Sequence, residues 1–287
     1  MKLISVVTIT RDNQEEVIKV FNELKKQTYD NWIFIVVDDY SKSTEKLEKI
    51  NDQKFKLVKY QGPFEFAYGR KFNYAYKAAL YYNPKYIYKI HTDMYLTSHN
   101  LLSAMSSVLN ESKEIAVVGP TIYNGKNVKT WGPGIVKHRC GHELTITESY
   151  MIRTEYLTKC DGYQDEIFTW FMEEADFYLR IYKNGFKTKQ VDESLIHYGG
   201  ATSRHFSVIK KYHRTRSTLL FLYKHNKNYS FYKNFRWYLW EIKSDFRQGM
   251  SLLKEGNLKN FILNYYFMTK GFFSALVLII KGKVKRI

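Results

Sequence analysis

Cysteine is almost missing from this chain: Cys140 and Cys160 are the whole complement, a usage that fits a reducing, cytoplasmic compartment. Acidic residues are scarce in one region. From Ser203 to Ile287, 18 Lys and Arg stand against Glu241, Asp245 and Glu255, a net +15, whereas residues 1–202 carry 27 basic against 25 acidic side chains. Four prolines, no internal repeat and no low-complexity linker exclude a disordered or fibrous chain. Met1-Lys2-Leu3-Ile4-Ser5 leads straight into a strand pattern, without a signal-peptide core or a small-residue cleavage site. The longest strongly apolar run, Gly271 to Ile280, falls short of the roughly 20 residues needed to cross a bilayer, so no membrane span is expected.

What is present suits a globular enzyme-sized domain: 287 residues, 45% hydrophobic, enough for one large core with an appended subdomain. Leu3 to Thr10 is a near-continuous apolar, β-branched run, as for a strand covered on both faces, and Arg11-Asp12-Asn13 ends it. Val17, Val20, Phe21 and Leu24 then recur at helical spacing. Ile33 to Val37 is a second buried strand closing at Asp38-Asp39. Phe55–Tyr60, a helix over 68–82, Tyr86–Ile90, a helix over 100–109 and Ile115–Val118 continue the alternation, which predicts a mostly parallel sheet flanked by helices. After Pro120, glycine and proline punctuate an irregular segment to Leu144. Thr145–Ile152 reads as a strand, Asp161-Gly162-Tyr163 as a turn, Glu173–Asn184 as an amphipathic helix stopped by Gly185, and Val191–Ile196 as a strand. Residues 1–202 thus form one α/β domain, and 203–287 a basic, helical, tyrosine-rich segment.

Carboxylates at strand ends are the chemical signal. Tyr88-Lys89-Ile90-His91-Thr92-Asp93 is an apolar-rich run ending in a carboxylate, where an α/β sheet presents ligands to a crevice. Asp38-Asp39 follow the second strand in the same way, either capping a loop or accepting from a nucleobase or ribose. Arg70 and Asn73 share a helix face suited to a diphosphate, or to solvent. Glu173, Glu174 and Asp176 crowd one helical turn. The helix dipole and an Asp176–Arg180 pair at i+4 account for them structurally; crowding that raises one pKa accounts for them as a general base. His197, at the end of a strand, is either a hydrogen-bonded core residue or a partner for Asp93 on a metal. His138, Cys140 and His142 form a rival metal set, without a fourth ligand in view.

Taken in order, Ser5-Val6-Val7-Thr8-Ile9-Thr10, Val36-Val37-Asp38-Asp39-Tyr40-Ser41, Lys89-Ile90-His91-Thr92-Asp93 and Phe171-Met172-Glu173-Glu174-Ala175-Asp176 resemble the ordered motifs of family 2 inverting glycosyltransferases. The resemblance covers about residues 3–200. It implies a GT-A fold, a Rossmann-like nucleotide-sugar-binding half (about 1–100) joined to an acceptor half (about 101–202). It also implies a rhamnosyltransferase-like or other hexosyl- or deoxyhexosyltransferase acting on a cell-envelope glycan. By resemblance, Thr10 and Asp39 lie at the base with Arg11 beside them, and Arg70 and Asn73 lie near ribose or diphosphate. Asp93, next to Thr92, takes the last position of the D-x-D metal motif. Glu174 falls on the family's catalytic base, with Asp176 the second choice and Glu173 adjacent. His197 falls on a downstream metal ligand, and the implied cofactor is Mg²⁺ or Mn²⁺. The chain departs from the pattern in two places: His91 replaces the first acid of D-x-D, and Glu174 is one methylene longer than the usual aspartate.

The basic C-terminal segment, with Phe272, Phe273, Leu276, Val277, Ile279 and Ile280 beside Lys270, Lys281, Lys283, Lys285 and Arg286, suits an anionic membrane surface, which would bring a lipid-linked acceptor to the enzyme. Packing on the catalytic domain and a homo-oligomer contact are the plainer readings. Two further functions fit the same residues. A nucleic-acid-binding module would use Tyr223, Tyr229, Tyr232, Trp237 and Tyr238, but it leaves the carboxylates unexplained, so nucleic acid is not the expected partner. The other is a catalytically impaired sugar-nucleotide-binding subunit.

Overall fold

In the computed structural model, residues 1–65, 67–125, 129–131, 136–137, 143–144, 148–159, 163–198, 207–225, 232, 235–236, 238–239, 242–243 and 257–286 are described. They fall into two compact units, one within Met1–His138, His142–Asp165 and Glu174–Ala201, the other within Glu166–Glu173 and Thr202–Ile287.

The first unit is built on a mixed sheet. Among the described residues its strands are β1 (Ile4–Thr10), β2 (Trp32–Asp38), β3 (Phe55–Lys59), β4 (Tyr86–Lys89), β5 (Met94–Leu96), β6 (Ile115–Asn124), β7 (Lys129–Trp131), β10 (Tyr150–Arg153) and β11 (Lys187–His197), and β8 (Val136–Lys137) pairs with β9 (Glu143–Leu144) apart from it. The order is β3-β2-β1-β4-β10-β6-β11-β5, with β7 on β6. β3, β2, β1 and β4 run parallel. The chain winds outward from β1 to β3 and then crosses back to place β4 on the other side of β1, so the winding reverses between β1 and β4. Ligands of open α/β sheets bind at such a reversal, beyond the carboxyl ends of the strands.

The helices of this unit are α1 (Gln14–Lys25), α2 (Glu45–Glu48), α3 (Tyr68–Leu80), α4 (Leu101–Glu111), α5 (Thr154–Lys159) and α6 (Glu173–Lys183). The expected stripe of α1, Val17, Val20, Phe21 and Leu24, is buried. Phe21 meets Trp32, Phe34 and Phe55 at ring separations of 5.2–6.2 Å, an aromatic cluster under β2. On α3, Phe72, Ala75, Tyr76 and Ala79 are buried at helical spacing.

Three details go beyond the sequence expectations. The sheet is mixed: β11 runs parallel to β6, while β10 is antiparallel to both β4 and β6, and β5 is antiparallel to β11. The segment after Pro120 is not irregular at once, because β6 continues to Asn124 and β7 pairs back onto it. Its β11 partner is bulged between Gln190 and Ser194, so the ladder register slips where Pro120 has no N–H to offer, and Gln190 Nε2 donates to the Pro120 carbonyl at 3.0 Å. The third concerns the C-terminal segment. Its unit contains α7 (Ser207–His225) and α8 (Leu258–Ile280), and α8 has the length and composition of a membrane-crossing helix. Asn, Thr and Lys270 interrupt the apolar residues in sequence, which hides a continuous 23-residue helix from a search for unbroken apolar runs.

Candidate active site

The β1 and β2 ends hold the first group. Thr10 ends β1 and Asp39 follows β2, both buried. Asp39 Oδ2 accepts from Arg11 Nη2 at 2.5 Å and from Lys71 Nζ at 2.6 Å, while Arg11 Nε donates to the Asp39 carbonyl at 2.8 Å. These bonds fix the carboxylate and leave Oδ1 buried without a partner among the described residues; Thr10 Oγ1 is in the same state. Burial lowers the Lys71 pKa against the pull of Asp39. Phe64 and Tyr40, both exposed, stand edge to face at 5.6 Å, and the Arg11 guanidinium lies 4.6 Å from the Phe64 ring centre. Tyr40 and Asp12 hold left-handed backbone at φ 58°, a conformation costly for side chains of this kind, stored where two strand-end loops meet through Ser41 Oγ and the Asp12 carboxylate.

A second group forms beyond β4. Asp93 Oδ2 lies 3.3 Å from His197 Nε2, and Glu148 Oε2 lies 3.3 Å from His197 Nδ1, so the imidazole bridges two carboxylates. Burial opposes its protonation, but the Asp93 contact and both negative charges raise the His197 pKa above the usual value. His91 is stacked against Tyr68 and takes a 3.0 Å hydrogen bond between Nδ1 and the Tyr68 hydroxyl. Its Nε2 is buried without a partner among the described residues. Burial and the neighbouring Lys89 charge push His91 down to about 3, so the ring is neutral at physiological pH.

Lys89 connects this group to α6. It is completely buried in β4, its ammonium 4.4 Å from the Phe72 ring centre and 5.5 Å from that of Tyr150, and it donates to Glu174 Oε1. Burial resists ionisation of Glu174, yet the Lys89 charge and hydrogen bond leave its pKa below the ordinary carboxylate value. Asp176, also fully buried, is paired with Arg180 Nε at 2.8 Å, and Arg180 Nη2 donates to the Tyr163 carbonyl. Phe171 and Met172 hold left-handed backbone at φ 68° and 69° directly before α6. Glu173, the first residue of α6, is buried and is the one α6 residue assigned to the other unit.

The expected residues are therefore not all employed alike. Asp93, His197 and His91 come together, as do Thr10, Arg11 and Asp39. Arg70 is paired with Glu65. Asn73 turns its amide to the backbone of Gln164, donating to the carbonyl and accepting from the N–H at 2.8 Å each, so it ties α3 to the segment before α6 instead of facing a crevice. Thr92 is buried. His138, Cys140, His142 and Cys160 lie outside the described residues. Sequence reading gave no role to Lys71, Lys89 or Glu148. The signal for the last two was a lone charge in an otherwise uncharged strand run, Tyr86 to Ile90 and Thr145 to Ile152.

Among the described residues no group of three or more His, Cys, Asp and Glu stands at metal-ligating distance. The donor chemistry nevertheless fits a divalent ion with an open coordination sphere. Asp93 Oδ2 and His197 Nε2 stand 3.3 Å apart, a carboxylate oxygen and an imidazole nitrogen of the kind that ligate Mg²⁺ or Mn²⁺.

A mixed α/β sheet that reverses between β1 and β4 and is flanked by helices is consistent with a fold of GT-A type. The match to the family model described as glycosyl transferase family 2, over residues 5–172, makes the chain a member of that family. No curated protein matches it. Solved structures share the fold at low identity. S. aureus TarS 1-349 in complex with UDP-GlcNAc is 18% identical, with a TM-score of 0.60 over 82% of this chain and 69% of that one. The longer S. aureus TarS is 17% identical at TM-score 0.58, and the match spans 82% of this chain but 41% of TarS. The mannosyltransferase PcManGT from Pyrobaculum calidifontis, in complex with GDP-Man and Mn²⁺, is 13% identical, with a TM-score of 0.56 over 98% of this chain and 79% of that one.

Proposed function

We propose that the protein transfers a sugar from a nucleotide-sugar donor to a hydroxyl of a glycan or lipid-linked acceptor, in one inverting displacement with Glu174 as base. The observation that carries this reading is a set of buried polar atoms at the strand ends that have no partner among the described residues: Thr10 Oγ1, Asp39 Oδ1 and His91 Nε2. Each such group costs about 1–3 kcal/mol when left unsatisfied, so the site is prepared for hydrogen bonds that a ligand brings. Asp39 Oδ1 suits a nucleobase N–H, and Thr10 Oγ1 suits a base or ribose group. The donors bound to TarS and PcManGT, UDP-GlcNAc and GDP-Man, are consistent with a nucleotide sugar, and the Mn²⁺ of PcManGT with a metal.

Asp93 and His197 are the residues that would hold Mg²⁺ or Mn²⁺, with Glu148 orienting the imidazole from its other nitrogen. When bound, the ion neutralises charge on the departing diphosphate. Glu174 accepts the proton of the acceptor hydroxyl as that oxygen attacks the anomeric carbon. Lys89 holds one carboxylate oxygen of Glu174 and keeps the group ionised, ready to take a proton. Asp176, committed to Arg180, braces α6.

The test is release of nucleoside diphosphate from a panel of nucleotide sugars with Mn²⁺, including UDP-, GDP- and dTDP-sugars. At least one donor is expected to turn over, with Glu174→Gln reducing the rate on the order of 10²-fold or more. Turnover by Glu174→Gln at the wild-type rate would remove Glu174 as base; absence of turnover and of thermal protection by every donor would remove the transferase reading.

A further inference from the structure

The C-terminal unit presents a second surface. On α8, Leu258, Ile262, Tyr266, Phe273, Val277 and Ile280 are exposed, at spacings of three, four and seven residues. At 100° per residue they occupy one stripe about a third of the helix circumference wide. Met268, Gly271, Phe272 and Ala275 are buried on the opposite side. That side packs on α7: a Cβ added at Gly271 would stand 2.4 Å from the Tyr212 carbonyl oxygen, and Tyr212 Oη lies 3.1 Å from Ser274 Oγ. The helix is thus apolar on two faces, of which α7 covers one.

The charges decide what covers the other. Lys259, Lys270 and Lys281 are exposed along one edge of the stripe, and Lys283, Lys285 and Arg286 follow beyond the helix end. Between Asn257 and Arg286 there is no Asp or Glu. A second copy of the chain would bring one +15 segment against another. A crossing helix would have to leave α7, to which it is packed at backbone contact distance.

We propose that the exposed stripe of α8 is an interfacial membrane anchor, lying flat on a bilayer with its apolar residues among the acyl chains and its flanking lysines on anionic headgroups. An apolar face of about 34 Å with a basic border is the arrangement that binds such a surface. This inference does not rest on the sugar-transfer reading, and its failure would leave that reading untouched.

The full-length protein would be sedimented with vesicles of phosphatidylcholine containing phosphatidylglycerol and with vesicles of phosphatidylcholine alone. Phe273→Glu/Val277→Glu would serve as the variant, its fold checked by circular dichroism and its thermal transition. Both substituted side chains are exposed, so folding is expected to survive. Binding to the anionic vesicles, at least about tenfold weaker to neutral vesicles and at least about tenfold weaker for the variant, is the expected result. If the variant does not fold, Phe273→Ser takes its place. Equal binding by the variant overturns the proposal. So does a dimer that the variant dissolves while wild type ignores vesicles, salt-sensitive binding to an RNA oligonucleotide without vesicle binding, or wild-type protein that resists alkaline carbonate extraction.

Discussion

Lys89 is the main charge acting on Glu174. A lysine wholly buried among Phe72 and Tyr150 is tolerable only with a counter-charge, and Glu174 is that counter-charge. The Glu174 pKa lies below its ordinary value, so the pair contributes stability above the ordinary carboxylate range, lost as pH falls through the folded pKa. Lys89→Met removes that contribution and leaves burial, the largest influence on Glu174, without its main counterweight. The acid limb of the pH–rate profile is expected to move to higher pH, with kcat down on the order of 10–100-fold, KM for the donor little changed, and a stability loss of about 3 kcal/mol. A double-mutant cycle with Glu174→Gln checks the pairing: the double variant regains most of the stability and none of the activity. A merely structural Lys89 would lower stability and leave the pH profile where it was. In the sequence, the odd charge within Tyr86–Ile90 is visible, but nothing local connects it with a glutamate 85 positions away. Asp93 and His197, 104 positions apart, were legible as a pair only because their chemistry and the ordered motifs supplied the connection.

At the scale of elements, α6 shows how one turn divides three acids between tasks. Asp176 and Arg180 form a buried i,i+4 pair, and Arg180 also ties the helix to Tyr163. Asp176→Asn should therefore behave as a broken buried ion pair, costing about 3–5 kcal/mol in urea unfolding, while kcat per folded molecule stays within about threefold of wild type. A loss of kcat on the order of 10²-fold with normal stability would instead make Asp176 the base. The Asp176–Arg180 spacing was readable from sequence because the partners lie one turn apart. The same locality explains which elements were readable: α1 and α3 advertise their buried stripes at helical period, and β1, β2 and β4 are short apolar runs between turn signals. Strand direction is not a local property. Nothing within Tyr150–Arg153 records that β10 enters antiparallel between β4 and β6, and a proline in β6 masked a strand that the bulge in β11 accommodates.

At the scale of the whole molecule, the charge asymmetry separates nearly neutral residues 1–202 from the strongly basic 203–287, and the latter hold a buried histidine, His213. His213 is buried on α7, its Nδ1 2.6 Å from Thr169 Oγ1; burial, then the Arg216 charge, push it down to about 4. The folded chain thus holds this ring neutral at a pH where the unfolded chain, titrating near 6.5, already binds a proton. Between those two values unfolding takes up a proton, so the His213 contribution to stability is complete above about pH 6.5 and shrinks as pH falls towards about 4. Carboxylates and His91, depressed to about 3, also titrate on the acid side, so the absolute curve mixes several groups. The difference between wild type and His213→Asn isolates one. Denaturant unfolding of both proteins at about pH 7 and about pH 5 is expected to show a stability gap that narrows on acidification, since only wild type carries this linkage. A gap of constant size across that range would mean that the ring titrates alike in both states, and that α7 does not bury it as the Thr169 contact requires.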